Sequence, residues 1–197
     1  MLRSSRHEVV VRPFLADELG TAAQVTKDAR PGTGISKPPA DWENIAAAEV
    51  KTVRPRTTVI LLGATDGFPM RTPAGVTAPC CDEPWVAEYA RRVRAMMQTY
   101  LQGGRGRVFW LTLPLSRAPS HRQVVVAVNT AIARAGEGVA GVTVVRFDKL
   151  FTPNGYTDVF RYRGRNVRIR DVDGLHFNIQ GQAIAANVVA QLIRASG

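Results

Sequence analysis

The sequence holds only two cysteines, Cys80 and Cys81, and they are adjacent. That spacing supplies neither a zinc-ligand pair nor a CxxC redox motif. It leaves open a vicinal disulfide or two ordinary loop thiols, so cysteine usage does not settle the compartment. Long apolar runs are also missing: no stretch of about 18 apolar residues occurs, which excludes a membrane-spanning helix. The first residues, MLRSSRHEVVVRPF, lack the uninterrupted apolar segment and small-residue cleavage site of a signal peptide, so any export signal is expected outside this sequence. No GxGxxG fingerprint or Walker loop is present, which leaves nucleotide binding without support. With three histidines and no His or carboxylate cluster, neither a metal nor a cofactor is expected. Internal repeats and low-complexity segments are absent as well.

What is present is an ordinary globular composition with a basic excess. Over 197 residues, 45% are hydrophobic and 21% charged, which suits a single domain over residues 1–197 with a substantial core. The formal net charge of +10 favours an anionic partner. The arginines, however, are scattered and no nucleic-acid fold signature accompanies them. A solvated basic surface or attraction to an anionic envelope is expected, and sequence-specific nucleic-acid binding is not.

Short apolar runs alternate with amphipathic stretches, the pattern of a parallel sheet covered by helices on both faces. Strands are expected at Thr57 to Leu62, Arg107 to Leu113 and Val142 to Phe147, whose near-continuous apolarity implies two buried faces. A further short strand is expected at Ala23 to Lys27. One helical face carries Trp85, Tyr89, Val93, Met96 and Tyr100, and another carries Val124, Val128, Ile132 and Ala135. Asp82 and Ser120 are candidate N-caps for these helices, Asp41 opens an earlier helix, and Asn178 caps the last one. Phe14 to Leu19 reads as a helix closed by Gly20, with Pro13 in its first turn. YTDVFRYRGRNVRIR reads as a hairpin. The glycine- and proline-rich loop from Arg30 to Pro39 is long for a connector, which points to function.

Asp173 and His176 are the first chemical candidates. A histidine activates a hydroxyl only when a partner holds its tautomer, and a carboxylate does this best. Their spacing lets a turn entering the last helix present both side chains to one site. The alternative is a loop aspartate that caps the helix, with His176 a bystander. Gly63-Ala64-Thr65-Asp66 directly follows a strand, at the carboxyl edge where ligands bind in open α/β folds. Gly63 there permits close backbone approach and a polar side chain two residues on can donate to an oxyanion, although GATDG can equally be a turn. Asp66 fits ordering of that loop better than acid catalysis. Pro31-Gly32-Thr33-Gly34 presents backbone N–H groups or is a flexible bend. His7 and His121 have no acidic neighbour at a useful spacing.

These blocks, from about Phe14 to the C-terminus, resemble the SGNH (GDSL-type) hydrolase superfamily, particularly bacterial domains found alone or attached to membrane acyltransferases. VILLGATDG resembles the third block, usually Gly-x-Asn-Asp, and DGLHFNIQGQ the fifth, Asp-x-x-His. Gly34 corresponds to the oxyanion glycine of the second block, with Gly32 the weaker match. The resemblance implies a three-layer α/β/α, flavodoxin-like fold and hydrolysis or transfer of ester-linked acyl groups through a serine acyl-enzyme. It makes His176 the general base, Asp173 its orienter, Gly34 and Thr65 the oxyanion contributors, and Gly63 and Asp66 part of the substrate-binding loop. No metal or cofactor is implied.

Two departures from the family pattern stand out. Thr65 occupies the usual asparagine position, and losing an oxyanion donor costs roughly a hundred- to a thousandfold in rate. The first block, Gly-Asp-Ser, is absent with the first strand that delivers it. Ser4 and Ser5 are poor substitutes because a nucleophile must be held at a strand end. The expectation is that Met1 lies just past the true nucleophile of a longer protein, and that strands meant to be central lack a neighbour. The full-length protein is then an esterase or O-acyltransferase acting on acylated carbohydrate or lipid. An extracytoplasmic or cell-envelope location is implied by the resemblance. The alternative is a non-catalytic module of the same fold that binds a glycan or a protein partner.

Overall fold

A computed structural model describes residues 12–196, and Ser4, Ser5 and His7 lie outside the described residues. Two compact units are present. One spans Gly32–Tyr156, and the other combines the described residues before Gly32 with those from Thr157 onward.

The Gly32–Tyr156 unit is an α/β layer. Helix α2 (Trp42–Val53) leads to strand β1 (Thr57–Ile60), a small hairpin of β2 (Met70–Arg71) and β3 (Thr77–Ala78), and helix α3 (Glu83–Leu101). Strand β4 (Arg107–Leu111), helix α4 (Pro119–Gly136), strand β5 (Val142–Val145) and the short helix α5 (Phe147–Phe151) complete it. The sheet is parallel, in the order β1-β4-β5, with Val59 beside Phe109 and Trp110 beside Val144. That is the order of the later half of a flavodoxin-like sheet. Val108 and Trp110 of β4 join a core with Trp85, Tyr89, Val93 and Met96 of α3 and Val128 and Ile132 of α4. Phe109 and Leu111, which alternate to the opposite face, are buried too. Strand β4 is therefore covered on both faces, and the fold class is the α/β type expected, a parallel sheet flanked by helices.

The apolar stripe of α3 is core along its whole length, since Trp85, Tyr89, Val93, Met96 and Tyr100 are all buried. Truncating Trp85 to alanine would cost about 3–5 kcal/mol. Beyond β4, the Asn129 side chain of α4 accepts from the Leu113 N–H at 2.7 Å and donates to the Leu113 carbonyl at 2.8 Å. Cys80 and Cys81 are joined as a vicinal disulfide.

In the second unit, helix α1 (Arg12–Leu19) packs on the last helix, with the antiparallel hairpin β6 (Val159–Tyr162) and β7 (Arg165–Arg168) beside it. That last helix is α6 (Ile179–Ala195). Asn187 of α6 ties the parts together, donating to the Glu18 carboxylate at 3.0 Å and accepting from the Tyr162 hydroxyl at 3.1 Å. Arg194 also donates to the Glu18 carbonyl. Pro13 falls in the first turn of α1, as its missing N–H requires.

Several expectations are corrected. Residues 23–27 form no strand, because in AQVTK only Val25 and Thr26 favour one and little apolar surface is there to bury. The sheet strands stop earlier than their apolar runs, and Phe147 opens α5 instead of ending β5. Strand β1 is half-buried rather than buried, since it pairs with β4 on one side only among the described residues. Helix α4 starts at Pro119 with Ala118 at the cap, not Ser120, because a proline at the first position sets the helical φ by itself. Asp82 occupies the cap position of α3 without a side-chain bond, whereas Asp41 and Asn178 cap α2 and α6 by accepting from Asn44 N–H and Gly181 N–H.

Candidate functional site

The turn between β7 and α6 is built around one buried cation. Arg170 forms an isolated antiparallel bridge with Phe177, and the Asp171 N–H donates to the His176 carbonyl at 2.9 Å. The Arg170 guanidinium, 2% exposed, donates to the Leu175 carbonyl at 2.6 Å and lies over the Phe177 ring at 4.9 Å. Gly174, at φ 67°, closes the turn in the left-handed region that glycine enters without penalty.

Within this turn Asp173 and His176 meet. Asp173 Oδ1 accepts from the backbone N–H of Leu175 at 2.8 Å and of His176 at 3.0 Å. Its Oδ2 lies 2.5 Å from His176 Nδ1. The carboxylate is thus fixed by the backbone before it engages the ring. Partial burial would raise the Asp173 pKa, but the bonds from the His176 ring and the two N–H groups, with the attraction of an imidazolium, outweigh it and hold it below the usual carboxylate value. With Nδ1 facing the carboxylate, Nε2 is the nitrogen left to accept a proton. The helix-capping alternative does not hold for Asp173, because Asn178 caps α6.

In the Gly32–Tyr156 unit, the other predicted residues lie past the carboxyl end of β1. Asp66 is 6% exposed and accepts four bonds: from Ile35 N–H at 3.1 Å, Ser36 N–H at 2.6 Å, Ser36 hydroxyl at 2.8 Å and Tyr89 hydroxyl at 2.7 Å. Ser36 Oγ in turn accepts from Gly67 N–H and Phe68 N–H at 3.1 and 3.2 Å. Trp85 Nε1 donates to the Phe68 carbonyl at 2.8 Å and its ring stacks on Tyr89. Thr65 Oγ1 donates to the Thr33 carbonyl at 2.5 Å, so its proton is committed to the neighbouring loop in this arrangement.

These bonds stitch residues 33–36 to residues 65–68, with Gly34 between two tethers. A Cβ on Gly34 would run into the Asp66 carboxylate, whereas one on Gly32 would meet nothing. Gly63, at φ 129°, packs where a Cβ would meet Val128 at 2.8 Å and Leu113 at 3.1 Å. Gly34, Gly63, Thr65 and Asp66 therefore belong to one cluster of loops, and Asp173 and His176 to one turn.

Ser36, Tyr89, Trp85 and Arg170 escape a sequence reading. Tyr89 and Trp85 sit on an apolar stripe that identifies them as core, although a buried Tyr hydroxyl or Trp N–H needs a partner. Ser36 follows Gly34 by two residues. Arg170 is one of several arginines in its region, and nothing in the sequence separates the buried one from the exposed ones.

Among the described residues, no group of His, Cys, Asp or Glu is placed to hold a metal ion. The profile of one family, described as protein of unknown function (DUF459), matches residues 10–192. No curated protein matches the sequence significantly.

Proposed function

We propose that this chain, which belongs to the DUF459 family, carries the general base and oxyanion loop of an SGNH-type ester hydrolase or O-acyltransferase. The observation that supports this most is the 2.5 Å contact of Asp173 Oδ2 with His176 Nδ1, on a carboxylate already oriented by two backbone N–H groups. That geometry holds one tautomer and stabilises the imidazolium that forms when Nε2 takes a proton from a serine hydroxyl. The serine oxygen then attacks the ester carbonyl, and the alcohol leaves with the proton returned by His176. Water or an acceptor hydroxyl, deprotonated by the same base, resolves the acyl-enzyme.

Gly34 N–H is the oxyanion donor in this reading, and Thr65 joins it when its hydroxyl turns from the Thr33 carbonyl. Gly63 supplies close approach, and Asp66 shapes the substrate-binding loop. The substrate class is an acylated carbohydrate or lipid, and the Cys80–Cys81 disulfide suits an extracytoplasmic location. The Gly-Asp-Ser block does not occur in these 197 residues, so the nucleophile this reading requires is not among them. That same absence is what favours the second reading, a non-catalytic module binding a glycan or a protein.

Hydrolysis of p-nitrophenyl acetate and butyrate separates the two when this chain is compared with its upstream-extended form. Turnover by the extended protein, abolished by His176→Ala, is expected. An extended protein that contains the serine and turns over neither ester leaves the binding module as the function. DNA upstream of the Met1 codon with no in-frame Gly-Asp-Ser codons removes that source of a nucleophile.

A further inference from the structure

In the Gly32–Tyr156 unit, Arg91 and Arg92 share Glu88, Arg134 holds Glu83, and Arg146 holds Asp148. The β6–β7 hairpin is different. Arg161, Arg163, Arg165 and Arg168 are all exposed, and none has a carboxylate partner among the described residues. Arg163 lies over the Tyr162 ring at 5.2 Å. Opposite pairing of Val159 with Arg168 and of Arg161 with Asn166 puts these four residues on one face of the ribbon. Phe160, Tyr162 and Val167 take the other face together with Arg165, the partner of Tyr162, and Arg163 sits in the turn between the strands.

Large apolar side chains are exposed beside these cations. Val159 is 45% exposed, Ile179 72% and Val172 79%. Asn178 Nδ2 donates to the Arg168 carbonyl at 2.9 Å and its N–H to the Ile169 carbonyl at 3.0 Å, which brings Ile179 next to Arg168. Val159 is the direct cross-strand partner of Arg168. Val172 tops the turn whose backbone bridges Asp171 to His176. Of the carboxylates in that turn, Asp171 Oδ1 accepts from Val172 N–H and Asp173 engages His176.

We propose that the exposed face of the β6–β7 hairpin, with Ile179 and Val172, docks the protein on an anionic lipid bilayer. Guanidinium groups pair with headgroup phosphates in a bidentate manner. The valine and isoleucine side chains enter the boundary between headgroups and acyl chains. A soluble polyanion would use the arginines and leave the apolar side chains in water, so the mixture favours a bilayer. Contact is peripheral, since no helix among the described residues is long and apolar enough to cross a membrane.

The test is co-sedimentation of the whole chain with vesicles of equal parts phosphatidylglycerol and phosphatidylcholine, against phosphatidylcholine alone and against soluble dextran sulfate. Binding to the anionic vesicles that weakens with salt is expected. Replacing Arg161, Arg163 and Arg168 with glutamine should reduce it on the order of a hundredfold, and replacing them with lysine should retain most of it. Val172→Ser with Ile179→Ser should weaken vesicle binding roughly tenfold and leave dextran sulfate binding unchanged. Hydrogen exchange on the wild-type chain should show hairpin amides protected by anionic vesicles, a readout that needs no variant. The proposal is overturned by equal binding to neutral vesicles, by unprotected hairpin amides, or by serine variants that bind vesicles like the wild type, which would make the surface a polyanion site.

Discussion

Tyr89, on the buried stripe of α3, donates its hydroxyl to the Asp66 carboxylate at 2.7 Å, linking the hydrophobic core to the loop past β1. Burial, then the charge of Asp66 and the bond to it, push the phenol well above its usual pKa, so it is a donor at neutral pH. Tyr89→Phe removes one of four donors from a buried carboxylate. A loss of about 1–3 kcal/mol in urea unfolding is expected, with little change in secondary structure.

Gly34→Ala pushes a methyl group onto the Asp66 carboxylate and must displace residues 33–36. Stability should fall by about 1–3 kcal/mol, and ester hydrolysis by the extended protein roughly a hundredfold or more. Gly32→Ala, at φ 72° with open space around it, should cost only about 1 kcal/mol and leave the rate nearly intact. Equal effects of the two substitutions would show that the loop carries no oxyanion donor at Gly34.

Asp173→Asn keeps the shape of the turn but turns the acceptor facing Nδ1 into a group that can also donate. In the extended enzyme kcat should drop on the order of ten-thousandfold with KM little changed.

Acid should destabilise the fold through three carboxylates. Asp173, Asp148 and Glu88 are each raised by burial but lowered further by their bonds, to His176, to Arg146 and Thr112, and to Arg91 and Arg92 respectively. A folded pKa below the unfolded one means that the stabilisation is complete above the ordinary carboxylate range and disappears as pH falls through the depressed values. Melting temperature should therefore be flat from neutrality to mildly acidic pH and then decline. Glu88→Gln should flatten part of that decline.

How far the sequence carries can be judged residue by residue. Continuous apolar runs and 3.6-residue stripes identify β1, β4, β5, α3, α4 and α6, because burial is what those patterns encode. The β6–β7 hairpin is legible from its turn and alternation. The β2–β3 hairpin is not, since two-residue strands leave no period to detect. Asp173 and His176 are legible as a pair because their partnership is local. The network around Asp66 is not, since its donors at residues 35, 36 and 89 are distant in sequence and each has an ordinary local role.

Asn129 acts as a stand-in peptide unit. Its amide offers Leu113 the donor and acceptor that a neighbouring strand would, just where the ladder beyond β4 has run out. Because both bonds come from one helical side chain, α4 cannot slip by a turn along the sheet, or rotate about its axis, without breaking both at once. Helix and sheet are therefore pinned in register, and movement that accommodates a ligand in this unit falls to the loops past the strand ends.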